Sequence, residues 1–121
     1  MTLGALARRA LLATVLLPAL PALAGNLSYM NDTPYSHFTK EDHKIFNAAL
    51  AEALDKNADG EVRVWTSPGS GAGGELIPVK TFERNRLNCR RLSIANKAKG
   101  RSASSEYNFC KQKTGKWTLA N

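Results

Sequence analysis

Cys89 and Cys110 lie equally far on either side of Lys99-Gly100, so the two pairs of residue numbers share the sum 199. A two-residue turn at Lys99-Gly100 joins two strands whose directly opposed residues have numbers with that sum. The cysteines then face one another across the strands, where Cβ atoms come close enough to bridge. One turn and one bond would fix the register of residues 89–110. A slip of a single residue parts the cysteines and sends every side chain to the other face.

Bridging needs an oxidising compartment, and the first segment reads as an export signal. Met1 to Arg9 carries Arg8 and Arg9 and no acidic residue, and the 15 residues from Ala10 to Ala24 are uncharged and end in Ala22-Leu23-Ala24. Small residues at such spacing fit a signal peptidase. A membrane-spanning helix needs about 20 apolar residues, and Pro18 and Pro21 interrupt this run, so an uncleaved anchor is the weaker reading. The expected cut follows Ala24 and leaves a mature chain of residues 25–121. No cysteine follows the cut, so lipid attachment is not indicated. Arg8-Arg9 leaves a twin-arginine route open beside the general one.

In an exported chain this short, two cysteines read as one disulfide, worth about 3 kcal/mol by loop closure. Free thiols are the alternative. The absence of a C-x-x-C spacing argues against oxidoreductase chemistry. The 121 residues bound the chain to one small domain, and 43% hydrophobic residues supply a core, which excludes wholesale disorder and a multi-domain enzyme.

Residues 25–37 lack periodicity and read as a flexible lead-in. A helix is expected from Thr39, with Asp42 completing an approximate capping box. Phe46, Ala49, Leu50, Ala53 and Leu54 form one apolar stripe at helical spacing, and Asn57 to Gly60 ends it. The period then drops to two. Val62, Val64 and Trp65 mark a first strand, and Pro68 to Gly74 reads as a glycine-rich loop. A second strand runs from Leu76 to about Phe82, with Pro78 marking an edge or bulge. Leu92 and Ile94, Tyr107 and Phe109, and Trp117 and Leu119 mark three more, with a further turn at Thr114-Gly115. In the 199 register, Leu92, Ile94, Tyr107 and Phe109 share the face assigned to the helix. Cys89, Cys110, Trp117 and Leu119 are assigned to the other. The fold class is α+β, one helix on an antiparallel sheet of four or five strands with one disulfide.

From Phe38 to the end the chain resembles the surface-antigen domain of small Gram-negative envelope proteins, of the rickettsial type. The resemblance rests on Trp65-Thr66-Ser67-Pro68, Gly74-Glu75-Leu76-Ile77-Pro78, Cys89-Arg90, Cys110-Lys111 and Gly115-Lys116-Trp117 in that order. Ser67, Lys111 and Thr114 depart from the family's usual residues, and the family's lipoprotein cysteine and glycine-repeat segment are absent from the sequence. The resemblance implies an envelope location, periplasmic or at the outer membrane, and no catalysis.

Motifs for other chemistries fall short. Gly69-Ser70-Gly71-Ala72-Gly73-Gly74 fits G-x-G-x-x-G, but a strand pattern follows where a phosphate-binding helix should begin. Asp55, Asn57, Asp59 and Gly60 match half a calcium loop, yet Thr66 stands where a bidentate Glu should close it. His37 and His43 have no metal-ligand spacing, and no nucleophile–histidine motif is present. No cofactor and no metal is expected, and no catalytic residue is assigned.

Charge carries the remaining signal. Residues 25–75 hold four basic and eight acidic residues, whereas residues 76–121 hold eleven basic and two acidic, a net +9. The expected anion- or partner-binding residues are Arg84, Arg86, Arg90, Arg91, Lys97, Lys99, Arg101, Lys111 and Lys113. Arg90 and Arg91 point to opposite faces, so one patch can use only one of them. For an exported protein the matching partners are anionic envelope components, meaning the outer-membrane surface, lipopolysaccharide or a cell-wall polymer. An exported binding module or inhibitor engaging an acidic protein is the second reading. Nucleic acid fits less well, because the basic strands lack interleaved aromatics other than Tyr107 and Phe109, which the core is expected to claim. Oligomeric state is not legible.

Overall fold

Thr39 starts the one long helix among the described residues by a reciprocal cap: its Oγ1 accepts the Asp42 N–H at 3.1 Å, and Asp42 Oδ2 accepts the Thr39 N–H at 2.9 Å. This helix, α1 (Lys40–Lys56), ends at Asn57, as its sequence pattern anticipates. The computed structural model describes residues 33–120, so the expected signal 1–24, its cut and residues 25–32 lie outside the described residues. The end of the expected lead-in is folded instead: Pro34–His37 form a 3-10 turn with Pro34 buried. Phe38, just before the cap, packs its ring 5.3 Å from that of His43, the fourth helical residue, as a hydrophobic staple does. Phe38 and Phe46 then meet Trp65 at 5.3 and 5.4 Å.

Five strands follow: β1 (Arg63–Ser67), β2 (Ala72–Arg84), β3 (Leu87–Ala98), β4 (Arg101–Lys111) and β5 (Trp117–Ala120). They form one antiparallel sheet in sequence order. The β3–β4 register places Cys89 opposite Cys110 and Ala98 opposite Arg101, as the 199 sum requires, and the cysteines are disulfide-bonded with Cα atoms 4.0 Å apart. The β2–β3 register shifts between Pro78 and Lys80, so Pro78 marks a bulge in an interior strand.

Three expectations are corrected. The glycine-rich stretch is not all loop: β2 begins at Ala72, and Gly73 and Gly74 pair on both sides. Gly74 is there because backbone and side chains crowd it; an added Cβ would collide with the Ala95 carbonyl and stand 2.9 Å from Trp65 Nε1.

The second correction concerns β5. Phe109 pairs with Leu119 and Lys111 with Trp117, so Trp117 and Leu119 lie on the helix-side face, away from the cysteines. A two-residue turn would have given the opposite result. The observed loop has three residues, Lys113-Thr114-Gly115, closed by the Gln112 N–H donating to the Lys116 carbonyl at 2.8 Å. Gly115 takes φ 90°, the left-handed residue that such a loop needs. An odd loop keeps odd residues opposite odd ones.

The third is Tyr107, expected in the core and found 43% exposed. It does share a face with Leu92 and Phe109, which are buried, but α1 does not reach it. The N-terminal turn of α1 is tied to the β1–β2 turn, since Ser67 and Ser70 donate to Asp42 at 2.5 and 2.7 Å. Its last turn is tied to the other end of the sheet, where Asp55 accepts from Lys111 at 3.1 Å and from Trp117 Nε1 at 2.8 Å. The helix therefore crosses the sheet diagonally and does not cover the part of β4 nearest the Lys99-Gly100 turn.

Candidate binding surface

The nine basic residues singled out from the sequence divide into those engaged inside the fold and those at the strand ends. Arg90 is withdrawn from any surface patch, being only 8% exposed. Its Nη1 donates to the Ala53 and Leu54 carbonyls at 3.3 and 2.9 Å, its Nη2 to Asp59 at 2.7 Å and its Nε to Thr81 at 3.0 Å. Those carbonyls belong to the last helical turn, where the helix dipole favours a cation; the Ala53 carbonyl also accepts the Asn57 N–H at 3.2 Å. Arg91, on the opposite face, pairs with Glu106 at 2.6 Å, and Lys111 pairs with Asp55.

The others do not form one patch. Arg84 and Arg86 sit at the β2–β3 tip, and in the 199 register Lys113 in the β4–β5 loop falls level with Arg86. Lys97, Lys99 and Arg101 cluster at the β3–β4 turn, the opposite end of the sheet. Arg86 and Lys99 hold φ of 64° and 53°, a left-handed backbone that asparagine or glycine adopts at less cost. Among the described residues Arg86, Lys97, Lys99 and Lys113 have no acidic partner. Beside the first cluster, Lys80 and Arg84 lie 5.8 and 5.4 Å from the Phe82 ring centre.

The acidic half is also engaged. Ser67, burial, Thr39 and Ser70 together hold the Asp42 carboxyl at about 2, the Ser67 hydrogen bond being the largest influence and burial opposing it. Asp55 is lowered chiefly by the Trp117 hydrogen bond, and Asp59 chiefly by that from Arg90. The half-matched calcium loop thus has its two aspartates turned to different partners, and no cluster of metal-ligating side chains is found among the described residues. His43 packs between Tyr35 and Phe38, at 4.8 and 5.3 Å, as an aromatic.

One surface was not read from the sequence. An apolar groove of about 490 Å³ lies beside α1 over β3, β4 and β5, lined by Tyr35, Leu50, Ile94, Tyr107, Phe109 and Leu119 among others. Its signals were indirect: the unpatterned Ser102-Ala103-Ser104-Ser105 stretch, and a β5 of 4 residues beside a β4 of 11.

A family model for the 17 kDa outer membrane surface antigen matches residues 52–118. The chain belongs to that family. No curated protein and no solved structure matches it. Membership makes the chain an exported, envelope-associated surface-antigen protein, and no helix among the described residues is long and apolar enough to cross a membrane. The pattern by which surface antigens are recognised is here architectural. Cys89 staples β3 to β4, Arg90 holds the helix end, Gly74 admits close strands, Pro78 marks the bulge, and Trp117 reaches Asp55.

Proposed function

We propose that this surface-antigen protein is non-catalytic and docks on anionic envelope components through the cations at the ends of its sheet. The observation that carries the reading is the fate of the basic half. The acids of the helix half engage Arg90 and Lys111, while Arg86, Lys97, Lys99 and Lys113 are left exposed without acidic partners among the described residues. Phosphates of lipopolysaccharide or of other outer-membrane lipids, and anionic cell-wall polymers, are the matching chemistry. The end carrying Arg84, Arg86 and Lys113 is the stronger candidate, because Phe82 beside it offers an apolar contact at a headgroup boundary.

Co-sedimentation of the purified protein with outer-membrane vesicles, and separately with peptidoglycan sacculi, tests this. Binding should be present at about 50 mM salt and collapse by about 300 mM, since screening shortens the reach of exposed charges. The pair Arg86→Glu and Lys113→Glu should weaken it more than the pair Lys97→Glu and Lys99→Glu. No sedimentation at any salt would refute docking on these surfaces and favour an acidic soluble partner.

A further inference from the structure

The sheet ends on one side with an unequal pair of strands. β5 pairs only with Asn108–Lys111 of β4, so residues 102–107 of β4 have no partner on that side among the described residues. In an antiparallel ladder, backbone groups point alternately to one neighbour and the other. Gln112 N–H donates toward the β5 side, so the even-numbered residues of β4 are the ones that face it. Ser102, Ser104 and Glu106 therefore direct their N–H and C=O groups to the open edge. Soluble proteins usually guard such an edge with lysine, proline or a covering loop. Residues 102–107 contain neither lysine nor proline, and all six are exposed. The one charged side chain, Glu106, is turned onto Arg91 at 2.6 Å.

The apolar groove adjoins this edge on the helix side. Its β4 wall is formed by Ala103, Ser105, Tyr107 and Phe109, the odd residues, with Ser104 beside them, and Ala103 and Ser105 are small. A strand added along the track of β5 would turn every second side chain toward that groove, because its register continues that of Phe109 with Leu119. Running antiparallel to β4, its C-terminal end would reach the Lys99-Gly100 turn. Lys97 and Lys99 there have no acidic partner among the described residues and match a carboxylate.

We propose that the open edge of β4 binds an extended peptide segment, which adds a sixth strand to the sheet, places alternate apolar side chains in the groove and sets an acidic C-terminal end at the β3–β4 turn. Main-chain hydrogen bonds provide the attachment, and the groove selects the apolar alternation. A second copy of the chain fits less well. Pairing two β4 edges through Ser104 would set each Lys99-Gly100 turn level with the other copy's Asn108, where Ala120 already lies.

The probe is an acetylated heptapeptide in which threonine and valine alternate and the last residue is aspartate. A control of the same composition has its valines contiguous. Binding is followed by fluorescence anisotropy and by amide hydrogen exchange of the full, oxidised chain. The alternating peptide should slow exchange at Ser102, Ser104 and Glu106 by about tenfold or more, and the control should not. Ser104→Pro removes one edge N–H at a position where an edge strand tolerates proline, and Ser105→Lys puts a charge into the groove. Each should weaken binding by about tenfold or more while leaving the melting temperature nearly unchanged. Binding of both variants as tight as that of the wild type, or no added protection, overturns the proposal. So does protection of those three amides in the free chain, whether from its own residues or, if protection rises with protein concentration, from a second copy.

Discussion

Arg90 of β3 and Leu54 of α1 are joined by a guanidinium-to-carbonyl hydrogen bond of 2.9 Å that closes the C-terminal turn of the helix against the sheet. The same side chain donates to the Ala53 carbonyl, which also accepts the Asn57 N–H, and to Asp59, so one residue ties the end of the helix and the turn after it to the sheet. Arg90 follows the disulfide-bonded Cys89, and the two residues act on opposite faces of one strand.

Replacing Arg90 by Ala should therefore destabilise the domain by about 2 kcal/mol, because buried helix carbonyls lose charged donors. Arg90→Lys should recover only part of this, since an ammonium cannot reproduce the planar fork. Arg91→Ala, which removes an exposed pair, is the control and should cost at most about 1 kcal/mol. Urea unfolding of the three variants decides it; equal losses at positions 90 and 91 would contradict the assignment.

The disulfide should contribute about 3 kcal/mol. A Cys89→Ala, Cys110→Ala double variant should match the reduced wild type in urea midpoint and should not respond to added reductant. An unchanged midpoint on reduction would show that the bond adds nothing to stability.

Stability should fall in acid over a defined window. The Asp42 carboxyl titrates at about 2 in the folded chain against an ordinary 3.8, so as pH falls the unfolded chain takes up the proton first. The contribution is complete above about pH 4 and disappears as pH drops toward 2. Asp55 and Asp59 are shifted in the same direction and add to it. Asp42→Asn should flatten the curve of urea midpoint against pH in this window and lower the plateau at neutral pH. A variant with the wild-type slope would exclude Asp42 as a source.

Gly74→Ala should cost about 1–3 kcal/mol through overpacking, as its Cβ has no room beside Ala95 and Trp65. At Gly69 an added Cβ meets nothing within 4 Å, so Gly69→Ala should stay within about 0.5 kcal/mol of wild type. Thermal melts of the pair separate a packing glycine from a loop glycine inside one motif.

What the sequence determined by itself was local or set by symmetry. Thr39 and Asp42 are three residues apart and cap the helix whatever lies around them. The stripe from Phe46 to Leu54 has to be buried somewhere, and Cys89 and Cys110 fix the β3–β4 register because both are measured from one turn. The tertiary structure decided what depends on loop parity and on how elements cross. One residue more in the β4–β5 loop than a two-residue turn moved Trp117 and Leu119 to the helix side. Arg90 looked like surface charge until the end of a helix 36 residues earlier in sequence was laid across it. The nine cations became two separate ends and three internal ties, because strands carry neighbours in sequence to opposite faces and opposite ends of the sheet. Among the described residues the diagonal of α1 left Tyr107 and the edge of β4 open, since a 17-residue helix anchored at Ser67 and at Trp117 cannot also cover the far corner of the sheet.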